Sequence, residues 1–264
     1  MDVDLYLDRI GYTGSREPDL ATLRALHLAN LYAVPFENLD IHLGHEILLS
    51  LTRLYEKVVV RRRGGFCYEL NSLFGWLLRQ LGFKVSMLAA RVYSGAQPGL
   101  PFDHMLLYLS EHQLIADVGF GDSFMEPMPL DGRIQTQDGS NYRIVDVEGE
   151  WTLQRRKPNT DWESQYCFTQ TPRRLGEYED MCRYQQTSPE SSFTRKTVCS
   201  LAMQDGRITL ANGRFIVTKF GSRREEPITD ESAYRTILSN RFGMELDVRE
   251  PVHRLLSVSG ERAL

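Results

Sequence analysis

Apolar residues recur at helical spacing through most of the first 82 residues. The clearest case runs from Cys67 to Leu81, where apolar side chains fall three and four positions apart and Gly82 supplies a stop. The same spacing in shorter segments predicts helices over 3–10, 19–33 and 54–61. The first third of the chain is therefore predicted to be helical, although periodicity leaves residues 34–40 unassigned.

The pattern changes after Gly82 to an alternation of apolar and polar residues, which is typical of β-strands. Alternating segments predict strands over 83–92, 104–109, 114–118, 142–147, 150–155, 196–203, 207–210 and 214–218. Two more helices are predicted, over 173–186 and from the cap residue Asp230 to Phe242, and the final twelve residues predict a loosely held tail. Helices and antiparallel strands in separate parts of a chain indicate an α+β fold.

The second and third predicted strands are joined by a four-residue loop and should form an antiparallel hairpin. If Leu109 pairs with Leu114, then Leu106 lies opposite Asp117. His104 shares a face of the sheet with Leu106, so His104 and Asp117 become diagonal neighbours about 7–8 Å apart at the backbone. The hairpin register therefore predicts contact between an imidazole and a carboxylate.

Two other acids near this hairpin fit less well. Asp103 faces the opposite side of the strand from His104, and Asp122 lies beyond the bend expected at Gly119. Taken singly, His104 could be a surface strand residue and Asp117 a turn former. We predict Asp117 as the carboxylate partner of His104.

Cys67 is predicted to lie in the first turn of its helix, two residues after the flexible pair Gly64 and Gly65. Unpaired backbone N–H groups and the positive end of the helix dipole would face its sulfur. Such settings lower a cysteine pKa from about 8.5 to roughly 3.5–7.5, which predicts an ionised, nucleophilic sulfur. The alternative is a buried core cysteine, since Cys67 continues the apolar stripe of its helix.

A helix cysteine followed by a strand histidine and a strand aspartate has the parts and the order of a Cys-His-Asp triad. His104 would hold the proton of Cys67, and Asp117 would orient the imidazole and stabilise its charge. The N–H groups at the helix start could stabilise an oxyanion. This chemistry predicts acyl transfer through a thioester, with water or an amine as the acceptor.

Other polar features have ordinary explanations. His27 lies on the apolar stripe of its helix and is predicted to be a core or interhelix histidine. The cluster 61–63 of three arginines is predicted to be a solvated face or a set of salt-bridge partners.

The composition of the 264 residues is that of a globular protein, with 42% hydrophobic and 25% charged residues. The net charge of −4 gives no sign of a nucleic-acid surface. The acidic start does not fit a signal peptide, and no run approaches the ~18 apolar residues of a membrane span. We expect neither a nucleic-acid nor a membrane partner.

Four cysteines lie far apart in the sequence and form no CxxC pair, so neither a zinc site nor a disulfide framework is predicted. They are Cys67, Cys167, Cys182 and Cys199. Free thiols fit a reducing compartment, and we expect a cytoplasmic protein without a bound metal.

Four segments in the first half of the chain resemble the successive motifs of the arylamine N-acetyltransferases, and the length suits the bacterial members of that family. The segments are 34–39 (VPFENL), 63–71 (RGGFCYELN), 104–106 (HML) and 117–121 (DVGFG). The second half resembles the family only in length and in the order of its elements.

The resemblance implies an α+β fold with a catalytic core like that of cysteine proteases and transglutaminases. A helical domain over 1–82 would carry the nucleophile, an antiparallel β-barrel domain over 83–190 the histidine and aspartate, and an α/β lid would cover 191–264. It also implies ping-pong catalysis: acetyl-CoA acylates Cys67, CoA leaves, and an arylamine, arylhydroxylamine or hydrazine takes the acetyl group.

By the same resemblance Cys67, His104 and Asp117 are the catalytic residues. Phe36 and Phe120 are candidates for the aromatic wall of the acceptor site, and Glu37 with Arg63 looks like the ion pair that steadies the cysteine turn. Acetyl-CoA is a cosubstrate and no cofactor stays bound. CoA contacts cannot be placed, and a monomer or homodimer active in xenobiotic metabolism is expected.

Other functions remain open on the sequence alone. The same triad would serve a thiol hydrolase or a related amide synthase with another acyl donor or acceptor. A catalytically silent binding protein could also retain this fold. The fate of an acyl group on Cys67 separates these alternatives: transfer to an amine indicates a transferase, and rapid loss to water indicates a hydrolase.

Overall fold

The computed structural model describes residues 1–256. Helices dominate the first 82 residues, as the periodicity predicts, and return near the end of the chain. The helices are α1 Val3–Arg9, α2 Leu20–Ala33, α3 Leu39–Leu43, α4 Leu51–Tyr55, α5 Cys67–Gln80, α6 Glu179–Thr187, α7 Ser192–Arg195, α8 Glu231–Phe242 and α9 His253–Leu256. A π-helical turn, Glu56–Val60, extends α4, and a 3₁₀ turn, Leu175–Tyr178, leads into α6.

Antiparallel strands form two sheets in the described residues. The strands are β1 Phe36–Glu37, β2 Val85–Ser94, β3 Gln97–Pro98, β4 His104–Leu109, β5 Leu114–Ala116, β6 Met128–Pro129, β7 Gln135–Gln137, β8 Ser140–Val147, β9 Glu150–Arg156, β10 Glu163–Phe168, β11 Val198–Met203, β12 Gly206–Ala211, β13 Arg214–Lys219 and β14 Ser222–Pro227. The larger sheet has the order β6-β5-β4-β2-β10-β9-β8-β7, with β3 paired to β2.

Helix α5 lies at the centre of the N-terminal part because nearly all of its side chains are buried. The burial includes polar residues such as Glu69, Asn71 and Ser72, so the helix has no solvated face over its first three turns. Gly75 lets it approach the large sheet: a Cβ atom there would lie 3.1 Å from Leu107. One end of this central helix therefore fixes the position of Cys67 against the strands.

The larger sheet curls toward closure, since β6 contacts β8 as well as its neighbour β5. Apolar side chains from β2, β4, β8 and β10 fill the interior, among them Leu88, Leu106, Ile144 and Tyr166. The opposite face of β4 packs on the helices through Leu107 and Leu109. The hairpin of β4 and β5 thus contributes to two cores at once.

The smaller sheet joins a strand from the first helical part of the chain to four strands from its last third. Strand β1, from the region that periodicity leaves unassigned, pairs with β11 so that Phe36 faces Ser200 and Glu37 faces Cys199. Phe36 also bridges Gly65 on its other side. The segment directly before Cys67 is therefore tied to strands more than 130 residues away.

Several predicted boundaries and elements differ from the structure. The single helix predicted over 54–61 is α4 with its π-helical continuation, and strands β10 and β14 were not predicted. The sequence of β14, SRREEP, is fully exposed and charged, so it carries no apolar alternation. Part of the predicted tail is wrong, because α9 buries Leu255, while residues 257–264 lie outside the described residues.

The division at residues 82 and 190 stays a prediction. One apolar core lies inside the large sheet and one between the small sheet and α8, but two others join residues of the first helices to the large sheet and α6. Among the described helices, none is both long enough and apolar enough to cross a membrane.

Candidate active site

Cys67 is the first residue of α5, as predicted, and close backbone packing holds the turn that presents it. A Cβ atom at Gly64 would lie 2.1 Å from the carbonyl oxygen of Pro35, and one at Gly119 would lie 2.8 Å from Cα of Cys67. Only glycine fits at such distances. The bend expected at Gly119 is therefore a close approach of the chain to the cysteine.

The predicted lowering of the Cys67 pKa is not what the structure gives for the thiol alone. Burial raises the pKa of Cys67 well above its ordinary value, the Met105 N–H lowers it, and the charges of Asp117 and Asp103 raise it further. The residue is only 3% exposed. The helix N-terminus cannot ionise a sulfur buried this deeply, so ionisation requires a nearby proton acceptor.

The predicted hairpin register is confirmed: Leu109 pairs with Leu114, and Leu107 with Ala116. Extended by one residue, it sets His104 and Asp117 on one face of the sheet. Nε2 of His104 donates to Oδ2 of Asp117 at 2.7 Å, and both side chains are buried. Because Nε2 is engaged, Nδ1 is the ring nitrogen left to exchange a proton elsewhere.

Four hydrogen bonds surround the carboxylate of Asp117. Oδ2 accepts from His104 and from the hydroxyl of Tyr166 at 3.1 Å, while Oδ1 accepts from Asn71 at 2.8 Å and from the Gly119 N–H at 3.0 Å. Burial alone would raise the pKa of Asp117, but the charge of His104 and the hydrogen bonds from His104, Asn71 and Gly119 lower it below its usual value. The carboxylate is thus a stable anion inside the protein.

His27 holds the same aspartate from the backbone side. The Asp117 N–H donates to Nε2 of His27 at 3.1 Å, so Nδ1 carries the proton and donates to the Met125 carbonyl at 2.9 Å. The ring is fully buried and stacks on Phe124 at a centroid distance of 5.8 Å. The prediction of a core histidine is confirmed, and burial lowers the pKa of His27 to about 4.

A cavity of about 280 Å³ is lined by both Cys67 and His104. Its described lining residues are Phe36, Cys67, Val92, Asp103, His104, Gly119, Phe120, Gln185, Ser192 and Phe193. Both aromatic residues predicted for the acceptor site thus lie on its wall, and the ring of Phe120 contacts that of His104 at 5.1 Å. A larger cavity, of about 600 Å³, is lined by Lys57 and Glu69 but includes neither Cys67 nor His104.

A buried ion network lies beside the cysteine turn. The predicted pair is present, with Nη2 of Arg63 2.8 Å from Oε1 of Glu37, and the same Nη2 is 2.8 Å from Asp40. Lys57, which the sequence did not single out, lies 2.8 Å from Asp40 and 2.8 Å from Glu69. Glu69 in turn accepts from the N–H of Phe66 at 3.1 Å and caps α5. The network fixes the start of the helix that carries Cys67.

Sequence reasoning missed several residues of the site. Asn71 lies within a recognised motif but received no role, and Tyr166 lies on the unpredicted strand β10. Lys57 is turned inward by the π-helical turn, which helical periodicity does not reveal. Asp103, which the hairpin register excludes as the triad carboxylate, lines the cavity. Only Asn71 had a usable signal, its position one helical turn after Cys67.

The sequence matches the model of a family described as N-acetyltransferase over residues 19–251. It is 35% identical over 277 residues to the pineal gland isozyme NAT-3 of arylamine N-acetyltransferase from Gallus gallus, covering 94% of this chain and 95% of that protein. Arylamine N-acetyltransferase 1 from Homo sapiens is 35% identical over 277 residues, covering 93% of this chain and 95% of that protein.

Solved structures share the fold. The arylamine N-acetyltransferase of Mycobacterium marinum superposes with a TM-score of 0.88 at 31% identity, covering 97% of this chain and 98% of that one. A Mycobacterium marinum structure in complex with CoA gives a TM-score of 0.87 at 30% identity, with 97% and 98% covered. The predicted α+β class is confirmed by this likeness.

Proposed function

The chain belongs to the arylamine N-acetyltransferase family, and from this premise we propose that it transfers an acetyl group from acetyl-CoA to the nitrogen of arylamines, arylhydroxylamines or hydrazines by a ping-pong reaction through a thioester on Cys67. The observation that carries the proposal is the hydrogen bond between the anionic Asp117 and His104, which lines the same cavity as Cys67.

In the first half-reaction the sulfur of Cys67 attacks the acetyl carbonyl carbon while its proton passes to Nδ1 of His104. An imidazolium at His104, which lines the same cavity as the sulfur, would favour the thiolate and offset the effect of burial on the thiol pKa. The N–H groups of Cys67 and Tyr68, at the start of α5, would stabilise the oxyanion. The carbon–sulfur bond to CoA then breaks, and CoA leaves with the proton from His104.

In the second half-reaction the acceptor nitrogen attacks the thioester carbonyl. Aromatic amines are largely unprotonated near pH 7, so attack needs no prior deprotonation, and the surplus proton passes through His104 to the released sulfur of Cys67. Phe36 and Phe120 would contact the acceptor ring. Asp117 stabilises the imidazolium in both halves, and Glu37 with Arg63 would steady the turn before Cys67.

A cytosolic location is supported by the absence of disulfides among the described cysteines, all four of which are free. We further infer that acceptors include foreign aromatic amines and hydrazines, which would place the protein in xenobiotic metabolism. Acetyl-CoA acts as a cosubstrate: in each cycle it binds, gives up its acetyl group and leaves as CoA.

Steady-state kinetics with acetyl-CoA and a neutral arylamine tests the proposal. Double-reciprocal plots at several acceptor concentrations should give parallel lines, and Cys67→Ala should abolish acetylation, while Cys167→Ala in strand β10 should retain it. Intersecting lines, or activity in the Cys67 variant, would rule out the thioester route.

A further inference from the structure

Asp103 is a charged residue of the reactive cavity that the proposed reaction does not use. It directly precedes His104, and among the described residues that line the cavity it is the one acid. Its neighbours on the wall include the aromatic residues Phe36, Phe120 and Phe193. An acceptor that fills the cavity therefore meets one carboxylate on a mainly apolar surface.

The carboxylate of Asp103 is held in place by a chain of hydrogen bonds. Gln185 is a buried residue of α6, and its Nε2 donates to Oδ1 of Asp103 at 2.6 Å. The hydroxyl of Ser191 donates in turn to the side-chain amide oxygen, Oε1, of Gln185. The Tyr68 hydroxyl donates to the adjacent backbone carbonyl of Phe102 at 2.8 Å and lies 3.3 Å from the carbonyl of Asp103. A carboxylate can accept about four hydrogen bonds, so the bond from Gln185 leaves capacity for a ligand donor.

The charge of Asp103 interacts electrostatically with Cys67 and His104. Burial raises the pKa of Asp103 and the charge of His104 lowers it, while Asp103 itself adds to the rise in the Cys67 pKa. Charges that face a cavity with apolar walls are screened less than charges in water. A charged substituent on an acceptor would therefore interact with Asp103 more strongly than at the protein surface.

We infer that Asp103 is a specificity-determining residue that favours acceptors bearing a cationic or hydrogen-bond-donating substituent and disfavours acceptors bearing a carboxylate. This inference rests on the proposed acetyl transfer. Within the arylamine and hydrazine class, rings with a cationic or hydrogen-bond-donating substituent should be preferred over aminobenzoates.

Three acceptors of nearly equal shape test the inference: 4-aminobenzamidine, 4-aminobenzamide and 4-aminobenzoate, which are cationic, neutral and anionic at pH 7. The variant Asp103→Asn keeps the shape and the Gln185 contact but removes the charge. Asp103→Asn should lower the ratio of two kcat/KM values, that for 4-aminobenzamidine divided by that for 4-aminobenzoate, by about tenfold or more. Comparing ratios cancels the intrinsic reactivity of each amine and any common effect on Cys67.

The matched control is Asp180→Asn, which removes the same charge from a side chain that is 97% exposed on α6, and it should leave the ratio unchanged. Asp103→Ser, a smaller neutral replacement, should shift the ratio in the same direction as Asp103→Asn. If all three amines are acetylated and neither Asp103 variant changes the ratio, the inference is wrong and the acetyl transfer stands. If the native protein acetylates none of them, both fail.

Discussion

Asp117 keeps its charge inside the protein because its two oxygens accept four hydrogen bonds, which is about the full capacity of a carboxylate. Each donor comes from a different part of the chain: α5, β4, the bend at Gly119 and β10. A carboxylate satisfied in this way can stabilise an imidazolium without changing its own protonation. The acid of the proposed triad is thus defined by its surroundings as much as by its contact with His104.

Tyr166→Phe should slow acetyl transfer, because it removes one of the two donors to the oxygen that also binds His104. A hydrogen bond to a charged group contributes about 1.5–3 kcal/mol, so a decrease in kcat of about tenfold is expected. Tyr234→Phe is the matched control, since the Tyr234 hydroxyl is buried without a hydrogen-bond partner among the described residues. An equal loss in both variants would show that Tyr166 acts only through packing.

Cys67 should react with iodoacetamide faster than the other cysteines at pH 6. Burial raises the pKa of all four thiols, but among the described residues only Cys67 shares a cavity with a histidine. Peptide mapping after partial labelling measures the preference. His104→Gln should remove the preferential labelling of Cys67. If iodoacetamide still labels Cys67 first in this variant, the role given to His104 is contradicted.

Short elements that are distant in sequence hold the reactive turn and hairpin. Strand β1 joins Gly65 to the small sheet. Helix α2 supports the end of β5 through the hydrogen bond between His27 and Asp117. The π-helical turn after α4 places Lys57 in the ion network. These are buried polar links between elements. Their loss should therefore affect stability and the geometry of the site together.

Stability should fall as the pH falls from about 6.5 to about 4, in part because of His27. The unfolded chain binds a proton at this residue below its ordinary pKa of 6.5, whereas the folded chain binds it only below about 4. Unfolding is therefore favoured in that window, by roughly 3 kcal/mol at its lower end.

Urea denaturation of the native protein and of His27→Gln at pH 7 and pH 4.5 checks this prediction. The variant should lose less stability on acidification than the native protein. His253→Gln, at an exposed position, should lose as much stability on acidification as the native protein. Equal acid sensitivity of the native protein and the His27 variant would show that the buried ring is not a source of the pH dependence.

Lys57→Met should destabilise the protein by about 3–5 kcal/mol, because it leaves buried acids next to the cysteine turn without one of their two cations. Thermal or urea unfolding measures the change. Lys84→Met is the control, since Lys84 pairs with Glu111 at the surface with 72% of its side chain exposed, and no measurable change is expected there. Similar effects of both substitutions would refute a special role for the network.

At the scale of the whole molecule, the sequence predicts those helices, strands and turns that local patterns of apolar and polar residues determine. The stripe from Cys67 to Leu81 gives α5 within a residue of its observed end, and a four-residue loop is enough to set His104 beside Asp117. Strand β10 shows the limit: its residues ESQYCF have little alternation, and closure of the large sheet buries three of them. The pairing of β1 with β11 depends on contacts across most of the chain, which no local pattern encodes.

Intact-mass spectrometry of the protein after brief exposure to acetyl-CoA tests the central claim most directly. One acetyl group should appear, peptide mapping should locate it on Cys67, and an added neutral arylamine should remove it while forming the acetylated amine. Absence of the adduct, its location on another residue, or its loss at the same rate with and without the amine would contradict transfer through Cys67.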